Sequence, residues 1–443
     1  MTHYDQAARY AALTRRFSVH LLMAVAVFTF AWGGRAAVHA QAVASSGGAR
    51  FTLSDALQAL EAGHPALAAA RLQIDAAGGD AVAAGVWENP SLSVAQNHGV
   101  GANRTDTPTE FDWSVSQTVD IFRTRAVQRR SGEFERDATR ADYEGVLATL
   151  RLGVERALAE LGGANLQRTA ADHALSRLES AMNIVRIRVE AGAEPRYDLH
   201  RMALSLADAR ADVEEARADA RQARARFDVA VGPGAARLAG DPDYSLAVRD
   251  VPSLDDLVAL ASQRPDLVAA RLRARSAAEA ARAARRGLWP SLHVSVGESQ
   301  VFSTPNDFAL NFGFTFDLPF VNRGQGTLAA ARARSLATEE AVRGIDVATR
   351  QTLGHYYDVM LVRRRASSEY GDTLRDTDET LLREAEAAYQ GGLIEILDLV
   401  DAYSSYSDAR AREIDLSLAA REAELDTVEA ATVPGTQAGG NGG

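Results

Sequence analysis

An internal duplication constrains this chain more than any other feature. Asp55, Leu57, Pro65, Leu67, Arg71, Pro90, Ser91, Leu92 and Val94 each meet an identical residue 200 positions on, at Asp255, Leu257, Pro265, Leu267, Arg271, Pro290, Ser291, Leu292 and Val294. The same offset returns at Gly192 and Gly392, and again at Asp198-Leu199 and Asp398-Leu399. Self-similarity at one fixed spacing means two copies of one folding unit. In each copy a helix with a Leu-Ala pattern is expected first, over about 53 to 86 and 253 to 288. Pro90 or Pro290 then ends it, because proline lacks the amide and clashes with the preceding turn.

Two strands follow in each copy, at about 91–98 and 109–121, and at about 291–299 and 307–318. In copy one Phe111, Trp113 and Val115 alternate with Asp112, Ser114 and Ser116; in copy two Phe308, Leu310, Phe312, Phe314 and Phe316 alternate with Ala309, Asn311, Gly313 and Thr315. Period-two alternation with one greasy face describes a half-buried sheet. Here the aromatics concentrate in strands of about ten residues, the length a tilted strand needs to cross a bilayer. Aromatics are only 7% of the chain, yet six of its 14 Phe lie between positions 301 and 320. The alternating apolar residues named above are therefore expected to face lipid, with the polar hairpin loops, His98 to Pro108 and Gln300 to Pro305, facing outside.

After each hairpin comes a long stretch without proline, from Pro108 to Pro195 and from Pro319 to Pro434. As helix, residues 122 to 191 would reach roughly 105 Å and 324 to 390 about 100 Å, too long for a globular core. The returning helix keeps a seven-residue repeat, with Met202, Ala209, Ala216, Ala223 and Ala230 in one row and Leu206, Val213, Ala220 and Phe227 in the other. Copy two repeats the first row as Ala402, Ala409, Leu416, Ala423 and Ala430. Heptads of small residues predict helices lying close side by side as coiled coils. Gly162-Gly163 is expected to loosen or kink the first long helix.

The N-terminus reads as an export signal. Arg9, Arg15 and Arg16 precede an apolar run from Phe17 to Trp32, and Val38-His39-Ala40 offers small residues at the cleavage positions, giving a leader over residues 1–40. The run falls short of the roughly 20 residues of a spanning helix, and no later segment is apolar for long enough. Repeats are expected at 41–250 and 251–433, with a flexible tail at 434–443. The net charge of −11 argues against general nucleic-acid binding, and the absence of Cys excludes disulfides, thiolate metal sites and a lipid anchor on an N-terminal Cys.

Four strands cannot close a barrel in lipid, because an open edge leaves amides and carbonyls unpaired at several kcal/mol each. Sister chains must complete it. Three chains supply twelve strands, within the usual range, whereas two supply eight, whose interior would fill with side chains. The expected fold is thus an α+β membrane protein: two repeats, each helix, β-hairpin and long helical hairpin, in a homotrimer whose 12-stranded β-barrel continues as a periplasmic α-helical coiled-coil barrel.

Several segments in the same order resemble the TolC-like outer-membrane efflux proteins. They are Phe51-Thr52-Leu53-Ser54-Asp55-Ala56-Leu57, Asn89-Pro90-Ser91-Leu92, Leu318-Pro319-Phe320 through Gly326, Glu190-Ala191-Gly192 and Tyr389-Gln390-Gly391-Gly392. Within the family the Asn-Pro dipeptide and the residues around Ala83-Ala84-Gly85 are most similar to the CzcC type, which serves heavy-metal pumps of the resistance-nodulation-division class. The resemblance implies a passive exit duct in the outer membrane, fed by an inner-membrane pump through a periplasmic adaptor of the membrane-fusion type. It implies turns at Gly192 and Gly392, with Ala191, Ala193, Gly391 and Leu393 beside them forming the adaptor-facing tips. Asp398 and Asp401 match aspartate rings that close the periplasmic entrance, and Tyr389 and Asp198 match residues that tether neighbouring coiled coils in the closed state. The pattern departs at Ile394, where relatives with the best-known gate carry an arginine, so no salt bridge is expected there.

Three residues apart, Asp398 and Asp401 share a helix face. Six carboxylates from three copies around one axis would raise some of their pKa values and draw cations inward. No cofactor, resident metal or catalytic constellation is expected: the nine His are scattered, and HExxH, GxSxG and phosphate-loop patterns are missing. Two alternatives stay open at this level, an exit duct of the same fold for type I protein secretion and a wholly periplasmic coiled-coil protein.

Overall fold

The computed structural model describes residues 50–98, 109–246, 251–302, 307–317 and 320–433. The expected leader, the tips of both β-hairpins and the C-terminal tail lie outside the described residues, as do Leu318 and Pro319 and the side chains of Phe302 and of 376–379. Twelve elements follow in chain order: α1 (Leu53–Gly63), α2 (Pro65–Gly85), β1 (Ser91–His98), β2 (Thr109–Val119), α3 (Thr124–Glu190), α4 (Arg196–Val231), α5 (Leu254–Ala261), α6 (Pro265–Arg286), β3 (Leu292–Phe302), β4 (Asp307–Phe316), α7 (Gln325–Gln390) and α8 (Ile396–Thr432). A 3-10 turn, Gly232–Arg237, follows α4. Among the described residues no helix is long and apolar enough to cross a membrane.

Each expected opening helix is in fact two. Pro65 and Pro265 take the first position of α2 and α6, where a missing amide costs nothing and the fixed φ suits the helix, so the preceding helix must stop at His64 or Ser262. A capping box starts α1: Asp55 accepts the Thr52 amide at 2.8 Å while the Asp55 amide reaches Thr52 Oγ1 at 3.4 Å. The amide bond from Thr52 holds the Asp55 carboxyl below its ordinary range.

The long helices form without interruption. α3 runs 67 residues and α7 runs 66, and α3 passes through Gly162-Gly163 unbroken. The two glycines serve close approach instead: a Cβ at Gly162 would stand 3.1 Å from the Tyr244 ring, and one at Gly163 3.3 Å from Leu418. The heptad is borne out along α4, where Met202, Leu206, Ala209, Val213, Ala220, Ala223 and Phe227 are all buried against α3. α7 pairs with α8, where Ala423 and Ala430 of the expected row are buried and Ala402, Ala409 and Leu416 half-buried, and α3 also packs along α8, α6 and α2. Where α3 and α4 meet α1, Phe227 stacks on Phe51 with ring centroids 5.2 Å apart inside an apolar cluster.

The two repeats are locked together midway along the helices. Arg421 of α8, 4% exposed, donates to Glu424 at 2.7 Å, to Tyr244 Oη at 3.0 Å and to Glu155 of α3. Glu424 is 1% exposed, and its second oxygen lies 3.9 Å from Arg364 of α7. One turn away Arg156 of α3 bridges Asp426 at 2.8 Å and Glu429 at 2.7 Å. Opposite charges on helices far apart in the chain thus fix the α3–α8 register.

Beside this lock, burial pushes the Glu422 carboxyl above its ordinary range, and nearby Glu160 adds to the shift. A carboxyl whose folded-state pKa is raised costs stability when ionised, and the cost fades as pH falls through that pKa. Glu422→Gln is therefore expected to raise the thermal midpoint at pH 7.5, with the gain vanishing near and below the ordinary glutamate value of 4.5; melting curves of both proteins across that range check it.

Candidate functional site

The four strands form one antiparallel sheet in the order β1-β2-β3-β4. The register places Val94, Trp113, Glu298 and Leu310 in one row and Leu92, Val115, Val296 and Phe312 in the next, so these side chains share a face. Phe111, Trp113, Val115, Phe308, Leu310, Phe312, Phe314 and Phe316 all fall on it, as the alternation predicts, together with Val294 and Leu292. None of the large side chains on β4 is covered: Phe312 is 74% exposed, and Phe308, Leu310, Phe314 and Phe316 lie between 54% and 72%. Monomeric soluble proteins rarely leave a contiguous apolar face of this kind open to water, and such a face marks a surface that another molecule or a membrane covers.

The opposite face is mostly polar, with Ala95, Val301 and Ala309 as its apolar residues. It carries Ser91, Ser93, Ser114, Ser116, Thr118, Ser295, Ser299, Asn311 and Thr315, with Glu110, Asp112 and Asp307 toward the hairpin ends, and none of the four strands contains an arginine. Ser91 and Ser116 hydrogen-bond across β1 and β2 at 2.7 Å, and Asn311 donates to Ser299 at 2.8 Å. Asp317 accepts from Ser291 and lies 3.1 Å from His293, which hold its carboxyl below the ordinary range. β1 and β4 each keep one edge unpaired among the described residues.

At the far end of the long helices, both turns use one device. Gly192 and Gly392 have φ of 73° and 72°, a left-handed conformation that suits glycine. The Ala193 amide returns to Arg188 O at 2.9 Å and the Gly192 amide to Val189 O at 3.0 Å; Leu393 and Gly392 repeat this with Ala388 and Tyr389. This is the Schellman closure of a helix. Ala191, Gly192, Ala193, Gly391, Gly392 and Leu393 are all exposed, Leu393 by 81%.

Just above the turns the two helical hairpins share an apolar cluster of Ala181, Val185, Met202, Tyr389, Ile396 and Leu399. Tyr389 is 1% exposed, its ring lies 4.6 Å from the Arg188 guanidinium, and its hydroxyl has no hydrogen-bond partner among the described residues. No bond joins it to Asp198 within the chain. Ile394 packs on the edge of the same cluster. One turn higher, Tyr403 donates to Glu386 at 3.0 Å, burial pushing its hydroxyl pKa upward, and Arg177 stacks over Tyr406 at 4.4 Å.

Asp398 and Asp401 are both exposed, in the first and second turns of α8. Asp398 has a local duty that sequence reasoning missed: its carboxylate accepts the Glu395 amide at 3.0 Å and so caps α8. Asp198 stands at the equivalent position of α4, but Pro195 replaces Glu395 there and has no amide to give. The signal was visible in that one difference between copies. Asp401 makes no hydrogen bond or ion pair among the described residues. Among those residues no cluster of His, Asp and Glu is placed to hold a metal ion.

The outer membrane efflux protein family model matches residues 56–233 and 257–431, the two copies in turn. The chain belongs to that family. No curated protein sequence matches it. Solved structures share the fold of this efflux-family chain at low identity. CusC is 19% identical with a TM-score of 0.70, over 86% of this chain and 92% of that one. The outer membrane protein VceC from Vibrio cholerae is 19% identical at 0.68, over 85% and 95%. The open MtrE outer membrane channel from Neisseria gonorrhoeae is 18% identical at 0.69, over 85% and 88%.

Proposed function

We propose that this efflux-family chain is the outer-membrane exit duct of a tripartite efflux system. The observation that carries the reading is a four-stranded sheet with an uncovered aromatic face, a serine-rich face and two open edges. An edge in hydrocarbon is tolerated only if another strand pairs with it. Three copies, β4 of each beside β1 of the next, give a closed ring of twelve strands with aromatics toward lipid and the polar face toward a lumen. The coiled coils continue the wall into the periplasm.

Below, the exposed glycine turns and Leu393 form the surface for a periplasmic adaptor, and an inner-membrane pump of the resistance-nodulation-division class supplies energy and cargo, metal ions or small toxic compounds. Tyr389, with its unpaired buried hydroxyl, and Asp198 tether coiled coils near the entrance. Asp398 and Asp401 from three chains encircle the axis there. With arginine-free strands above, they favour cations.

The test is single-channel recording in planar bilayers. Asp398→Asn and Asp401→Asn together are expected to weaken block by multivalent cations by about tenfold, on the scale of about 1.4 kcal/mol per decade, and to reduce cation preference. Unchanged block would remove the aspartates from the constriction, and absence of conductance would remove the duct.

A further inference from the structure

Where the sheet meets the long helices, one residue is held in a conformation that its counterpart assigns to glycine. Arg123 caps α3 with φ 52° and ψ 38°, the one non-glycine residue with positive φ among those described. At the same point of copy two, the cap of α7 is Gly324 with φ 68°. The strained turn is fixed from outside: Arg286 donates to Phe122 O at 3.3 Å and to Arg123 O at 2.9 Å, and Asp120 accepts the amides of Thr124 and Arg125 at 2.9 and 2.8 Å. A side chain kept where glycine would relieve strain points to a use for that side chain.

Its neighbours indicate the use. Phe122 stacks on Trp289 at 5.4 Å, and both are open, Trp289 by 62%. They sit at the helical ends of β2 and β3, just below the aromatic face. From Trp289 to the row of Phe111, Gln300 and Phe308, the outermost of the aromatic face, is eleven residues, about 36 Å of extended chain and roughly 28 Å along the normal at a tilt near 40°, just beyond the apolar height of about 25 Å of such a barrel. The Phe122–Trp289 pair therefore falls at the inner interface.

The carboxylates at this level are engaged. Glu88 is held by Arg125 at 2.7 Å, Asp120 by the two amides and Asp317 by Ser291 and His293. The exposed guanidiniums are not matched by them: among the described residues Arg123 and Arg285 have no carboxylate partner, and Arg286 donates only to the two carbonyls. Positive charge without a protein counterion, beside the amphipathic indole of Trp289 and the Phe122 ring at a membrane edge, is complementary to lipid phosphate.

We propose that Arg123, Arg285 and Arg286, with Phe122 and Trp289, form a binding site for the phosphate of an anionic phospholipid in the periplasm-facing leaflet. The site rests on the membrane reading above, lies within one protomer, and repeats three times around the trimer.

The experiment compares the detergent-purified mature protein with Arg123→Gly by native mass spectrometry during titration with phosphatidylglycerol or phosphatidylcholine. Arg123→Gly relieves the strained turn, so its melting midpoint should hold or rise. Phosphatidylglycerol affinity should fall about fivefold, the size of one arginine near an anionic surface, while phosphatidylcholine retention stays the same. Arg285→Gln should lower it similarly without touching the turn. Unchanged phosphatidylglycerol affinity in both variants overturns the site, as does displacement of the lipid by millimolar inorganic phosphate, which would make it a free-anion site. Conductance of the same preparations separates the two claims: a conducting protein with no lipid preference overturns the headgroup site alone, and a lipid preference without conductance overturns the duct and leaves the headgroup site standing.

Discussion

Arg421→Leu is expected to cost about 3 to 5 kcal/mol, the range for breaking a buried ion pair by removing one partner. The guanidinium is the shared donor for Glu424, Glu155 and Tyr244, and it joins α8 to α3 across the two repeats. Without it the Glu424 carboxylate, almost fully enclosed, keeps only Arg364 at 3.9 Å. Denaturant unfolding followed by helical circular dichroism should show the loss. Arg421→Leu combined with Glu424→Leu should recover a large part of it, because the stranded charge goes too, and that non-additivity is the signature of coupling. If the double variant is no better than the single one, the loss comes from packing around the arginine and not from an unpaired carboxylate.

Phe314→Asp is expected to prevent stable membrane assembly. Phe314 pairs with Val294 and stands two residues from Phe312 and Phe316 on the uncovered aromatic face. Measured basic substitutions at the bilayer midplane cost about 2 to 4 kcal/mol, and acidic ones less, but a trimer carries the change three times. The trimer band in mild detergent electrophoresis and the membrane-extracted fraction should both fall sharply. Asn311→Asp, three residues away in sequence but on the serine-rich face opposite Gly297, should assemble normally. If both variants assemble alike, the two faces do not differ in their exposure to lipid.

The fold was legible because its signals are periodic. Two residues per repeat in β4, seven in α4 and 200 across the chain are each readable in one dimension, and each survived in the structure with strand ends shifted by only a few residues. The failures share a cause as well. Gly162-Gly163 reads as a weak point because helix propensity is a local property, yet α3 continues there because Tyr244 and Leu418, remote in sequence, press against the bare backbone. The opening helices read as one because the Leu-Ala pattern continues across His64, although Pro65 marks the break.

Among the candidate site residues, Gly192 and Gly392 could be placed from sequence, since a helix reversal needs a residue tolerant of positive φ. Asp398 could not be fully read: its bond to the Glu395 amide depends on where α8 begins, and that boundary is set by the turn before it. The charge lock around Arg421 was invisible, because an arginine on a long helix is ordinarily a solvated one and nothing local announces Glu155.

By itself, then, the sequence determined the duplication, the alternation that makes one sheet face greasy and the other polar, the lengths of the helices and the positions of their turns, all of which follow from spacing along one chain. Only the tertiary structure decided which arginines are buried, why two glycines sit inside a continuous helix, and that Arg123 is held in a left-handed turn beside Phe122 and Trp289. Those outcomes depend on which distant surfaces meet, and burial, pairing and strain are properties of that meeting.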